Sequence, residues 1–195
     1  MATRLPPKPD FEAIEAAAID SADRRTVILA LIGNLVFSWS NNESMFIYVL
    51  MVLLETDEVS AAIVFATLNT TRARLDLVQR LATAKIKDRP TAKMLDKIIT
   101  RFNESTRIRN EFNHCMYTVN DRGEITHTHA MKIKESRGHL TLGELRPMDD
   151  ARIAELVKSV ADLKTLNRDL WDLLPRLQAA VVSLTPQAGA SGTPA

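Results

Sequence analysis

The chain has 195 residues, 46% of them hydrophobic and 25% charged, with 25 Lys and Arg set against 24 Asp and Glu. A net charge of +1 provides no global field of the kind that draws a whole protein onto nucleic acid or a membrane surface. A single cysteine, Cys115, excludes an internal disulfide and suits a reducing compartment.

Residues 1–9 carry three prolines and are expected to form a flexible tail. The opening stretch has no apolar segment flanked as a secretory signal would be. A first helical region is expected from about Phe11 to Glu55, broken near Asp20 and again at Ser40–Ser44. Its apolar halves, TVILALIGNLVFSW and MFIYVLMVLL, are split by SNNES, and neither reaches the ~18–20 residues a membrane span needs. They read as buried core helices, with no membrane partner and a cytoplasmic location as the default. If the helix is continuous, Asn34, Ser38 and Asn41 form a polar stripe along it. Glu43 is the only charge between Arg25 and Glu55, set beside Asn42 and Ser44, either of which would cap a new helix.

TDEV opens a second helix, about Glu58 to Lys87, with Thr56 as its cap. DRPTAK opens a third, which reaches about His114, with Pro90 at a tolerated helix-start position. A fourth runs from MDDARIAEL to about Leu184, with Pro175 as a kink or break. Between the third and the fourth, residues 115–145 are rich in β-branched side chains, with DRG and SRG spaced as turns. This segment predicts a small β-hairpin or three-stranded meander, with Ile125, His127, His129, Met131 and Ile133 on one face. Residues 10–184 are expected to form one helical domain, followed by a flexible tail at 185–195.

The third helix carries the most informative pattern. Leu95, Ile98, Phe102, Ser105, Arg109 and Phe112 follow alternating steps of three and four, so Arg109 falls on the stripe that otherwise packs. A buried charge there costs several kcal/mol unless it snorkels, pairs or faces a polar cavity. Asn110 and His114 are one turn apart, with Arg107 on nearly the same line. From Lys85 to Arg109 there are eight basic residues, Lys97, Arg101 and Arg107 among them, against Asp88, Asp96 and Glu104. That local excess suits a phosphate backbone, or equally a solvated helix face laced with ion pairs.

RNEFNH, residues 109–114, resembles the RNxxxH motif of the HEPN superfamily, the higher eukaryotes and prokaryotes nucleotide-binding domains. Its place late in the third long helix is also similar to that family. The resemblance implies an antiparallel HEPN-like bundle of four to five helices, with the β-hairpin as an insertion before the last. It implies a metal-independent endoribonuclease with a composite homodimer site and no cofactor, whose partners are RNA and, for a toxin or defence effector, an inhibitory protein. Arg109 and His114 would be the catalytic pair, with Asn110 and Glu43 orienting the site and Arg107, Arg101 and Lys97 binding RNA. The resemblance equally admits a catalytically silent module that binds RNA, nucleotide or protein. No metal site is assigned: His127 and His129 have a spacing that metals use, with His139 or Cys115 as further ligands, but cross-strand packing or RNA contact fits the pair as well. Cys115 directly follows His114, and adjacent residues point apart, against a Cys–His nucleophile. Trp39 and Trp171 sit in apolar helical patterns and read as core.

Overall fold

The computed structural model of the chain describes residues 24–120, 124–136 and 138–181. The expected tails at 1–9 and 185–195, the helix start from Phe11 to Asp23, the DRG turn and Arg137 lie outside these residues, as do the side chains of Lys134 and His139. Five helices are described: α1 (Arg24–Leu54), α2 (Glu58–Thr67), α3 (Thr71–Lys85), α4 (Arg89–Asn113) and α5 (Asp150–Ala180). Between α4 and α5 lie β1 (Cys115–Val119), β2 (Ile125–Ala130), β3 (Ile133–Ser136), β4 (His139–Leu142) and β5 (Leu145–Pro147). The protein is mainly α, with small antiparallel sheets before its last helix. None of the described helices is long and apolar enough to cross a membrane.

The described residues fall into two compact units. One comprises Phe46–Asp96 and 173–181, the other 24–45 and Lys97–Asp172.

In the first unit, Phe46, Val49, Leu50, Leu53, Leu75 and Val78 are buried, along with Leu173, Leu174 and Leu177 from α5. Glu55 takes the left-handed conformation (φ 52°) that ends α1, and Thr56 N–H reaches back to the Met51 carbonyl at 3.1 Å. The cap of α2 is Asp57 rather than Thr56, because its carboxylate accepts both the Ser60 N–H (2.9 Å) and the Ser60 hydroxyl (2.7 Å). The single second helix expected from the sequence is two helices. Leu68 leaves helical geometry, and Thr70 starts α3 by accepting the Ala73 N–H at 3.1 Å. Asp88 caps α4 in the same way, through the Thr91 N–H and hydroxyl. Pro175 does not end α5. Leu173, Leu174 and Leu177 on either side of it are fully buried, and their packing outweighs one missing backbone hydrogen bond.

In the second unit, α1 is continuous through SWSNNES, so the expected break at Ser40–Ser44 does not occur. The reason is Asn42. It is fully buried, donates to the Leu163 carbonyl at 2.9 Å and accepts from Asn167 at 2.8 Å, so its amide is satisfied without breaking the helix. Asn34 and Asn41 are exposed and Ser38 half-buried, and this side of the expected polar stripe faces solvent. The core here contains Ile28, Leu35, Trp39, Phe102, Phe112 and Leu156.

The β region is larger than a hairpin: β1, β2 and β5 form one antiparallel sheet in the order β1-β2-β5, and β3 and β4 form a separate two-stranded one. Thr118 lies opposite His127, yet Val119 lies opposite Ile125, so Thr126 is an extra residue in β2. That bulge reverses the alternation. Ile125 therefore shares the inner face with Thr128, both buried, and not the face of His127 and His129 as the sequence pattern implied. Met131 lies beyond the end of β2. Gly143 passes so close to the Ala130 carbonyl that a side chain at this position would collide with it.

Candidate functional site

RNEFNH occupies the last turn of α4 and the residue after it. Phe112 is buried, which fixes the rotation of this turn. Its carbonyl would be left open by the end of the helix, and it accepts the Tyr117 hydroxyl at 2.7 Å. His114 keeps its backbone N–H on the Asn110 carbonyl at 3.1 Å, so it continues the helical path one residue past Asn113. Its side chain is exposed, and its ring has no hydrogen bond among the described residues.

Arg109 is half-buried. Its guanidinium lies over the Trp39 ring, 4.1 Å from the centroid, and Nη1 donates to Asn110 Oδ1 at 2.9 Å. Its Nε is buried without a partner among the described residues. Trp39 is itself fixed, stacked on Phe102 with centroids 5.4 Å apart and donating Nε1–H to the Thr106 hydroxyl at 3.0 Å. Two contacts therefore aim the Arg109 cation, and neither brings a negative charge. Glu43 is half-buried on α1 and has an interaction of its own, and the contacts that Arg109 shows are with Trp39 and Asn110.

A second arginine, Arg152 of α5, also lies over a ring, that of Phe112, at 4.4 Å. It is 6% exposed and ion-paired to both Glu111 and Glu155. Glu111 also takes Arg146 of β5 at 3.1 Å, and this pairing raises the Arg146 pKa further above its ordinary value. Glu111, the third residue of the motif, thus ties the end of α4 to α5 and to the sheet.

Arg101 and Arg107 line a groove of about 440 Å³ together with Glu104, Lys158, Asp162 and Leu163. Arg101 is paired with Asp169 and Lys158 with Asp162, leaving Arg107 as the groove cation with no ion pair among the described residues. Lys97 is exposed and likewise has no ion pair there. The structure brings Arg109 to Asn110 and sets Asn110, His114 and Arg107 along one exposed face of α4. It places Arg101 on the side of α4 that meets α5.

Burial pushes the Cys115 thiol and, more strongly, the Tyr117 phenol up from their ordinary pKa values. Cys115 is thereby kept as a thiol rather than a nucleophilic thiolate. Among the described residues no three His, Cys, Asp or Glu side chains gather closely enough to share a metal ion.

Sequence reasoning missed Trp39 as the ring that holds Arg109, and it missed Arg152, Arg146 and Glu111 as an ion-pair cluster. Their only signal was chemical: an arginine on a packing stripe needs a partner, and the partners lie far away in the chain. No protein-family model, curated protein or solved structure matches this chain.

Proposed function

We propose that the chain is a HEPN-type endoribonuclease that works without a metal or other cofactor as a homodimer, each copy presenting its RNEFNH toward the other. The observation that supports this most is the state of Arg109: a half-buried cation, oriented by Trp39 and Asn110 and given no carboxylate partner among the described residues. Such a group is ready for an anion from outside the chain, and phosphate oxygens suit its paired donors.

The exposed His114 imidazole provides proton transfer. In cleavage, the RNA 2′-hydroxyl gives up its proton and its oxygen attacks the neighbouring phosphorus. The bond to the 5′-oxygen breaks, and that oxygen takes up a proton. The products are a 2′,3′-cyclic phosphate and a 5′-hydroxyl. One imidazole accepts the first proton and the imidazole of the second copy supplies the second, while Arg109 stabilises the charge on the phosphoryl oxygens. Arg107 and Lys97 attract the RNA backbone. Restraint by an inhibitory protein, as for a toxin or defence effector, completes the proposal.

The test is cleavage of total RNA by purified protein in excess chelator. Wild type should leave cyclic-phosphate ends, and His114→Ala and Arg109→Ala should each lose at least about 100-fold in rate. Equal cutting by the variants sinks the assignment. RNA or nucleotide binding without any turnover supports the silent module instead.

A further inference from the structure

We infer that the outer face of the β1-β2-β5 sheet is a platform for the bases of single-stranded RNA, continuing the surface at the end of α4. This inference rests on the ribonuclease reading above and extends it to the form of the substrate.

The register defines the face. Met116, His129 and Leu145 lie side by side across the three strands, and Thr118, His127 and Pro147 form the next row. The bulge at Thr126 keeps both histidines on this side while Ile125 and Thr128 turn inward. Met116 and Leu145 are more than half exposed, and the two imidazoles are half-buried. His129 Nε2 sits 3.1 Å from the Gly143 carbonyl, which fixes its ring, whereas His127 has no hydrogen bond among the described residues. These six side chains include no carboxylate. A surface of imidazole rings and apolar groups without a carboxylate offers stacking to bases.

The phosphate-binding charge lies beside it. Cys115 pairs with Ala130, so this end of the sheet adjoins both His114 and Lys132. Lys132 and Arg107 are exposed without ion pairs among the described residues. The nearby acids Glu111 and Glu144 are held by arginines. Bases on the sheet and phosphates toward α4 is the arrangement this distribution favours. A duplex, whose bases are paired and stacked, cannot use the platform.

The experiment uses a labelled 2′-O-methyl oligonucleotide, which binds but lacks the hydroxyl needed for cleavage. Histidine ring NMR signals and fluorescence anisotropy are recorded on the full chain. The single strand should shift His127 and His129 and bind at least about tenfold tighter than the matching duplex. His127→Ala should weaken binding about five- to tenfold, and His127→Phe, which keeps a stacking ring, should restore it. If the single strand binds without moving these signals, or if His127→Ala binds like wild type, the platform is overturned while cleavage by RNEFNH can still stand. If no RNA binds and none is cut, the ribonuclease reading fails and the platform with it.

Discussion

Two arginines meet the region around α4 in nearly the same way and differ in one respect. Arg152 lies over Phe112 and Arg109 over Trp39, and each has a buried Nε without a partner among the described residues. Arg152 is saturated by carboxylates, Glu111 and Glu155, so its charge is consumed inside the protein. Arg109 has a ring and a neutral amide, so its charge is left over. A half-buried cation with no carboxylate partner among the described residues is a group that an anion from outside can pair. The same residue type thus serves as a structural anchor in one place and, in the function proposed above, as a receptor for RNA phosphate in the other.

Replacing each arginine by methionine probes this difference directly. Arg152→Met leaves Glu111 and Glu155 without their buried partner and should cost about 3 kcal/mol in urea unfolding. A loss below about 0.5 kcal/mol would show that the cluster is not an anchor. Arg109→Met removes a charge that has no counter-charge among the described residues and keeps an unbranched side chain against Trp39. Unfolding free energy should change by no more than about 1 kcal/mol, in either direction. The smallest effect should be at Asp88. Its hydrogen bonds from the Thr91 hydroxyl and backbone N–H hold its carboxyl below the ordinary aspartate value. A depressed folded-state pKa contributes stability above the unfolded value, about pH 4, and loses it as pH falls through the folded value. Asp88→Asn should therefore flatten the acid limb of the stability profile, measured by thermal melts from pH 6 to pH 2, and leave its neutral limb in shape.

The two regions were not equally legible in the sequence. The stripe of α4 was: Leu95, Ile98, Phe102 and Phe112 are all buried, and Arg109 does sit at the edge of their packing. Spacing along one helix is local information, and three-and-four steps carry it well. What holds Arg109 was not legible, because Trp39 is 70 positions away and an apolar pattern gives it only a core role. The Arg152 cluster was hidden for the same reason. At SWSNNES, polar residues look like a turn until a distant carbonyl is found to satisfy Asn42. The bulge in β2 left no Gly or Pro to mark it, so strict alternation put Ile125 on the wrong face. The break before Thr70 was marked only by Asn69 and a pair of threonines, a signal weaker than the helical period around it.

The most direct test of the central claim pairs two readings on one variant, Arg109→Met: its unfolding free energy and its rate of RNA cleavage in chelator. A fold essentially as stable as wild type, with cleavage down at least about 100-fold, is the predicted result and identifies Arg109 as a cation held for RNA phosphate. Undiminished cleavage, or a loss of activity that only follows a loss of folded protein, would contradict it.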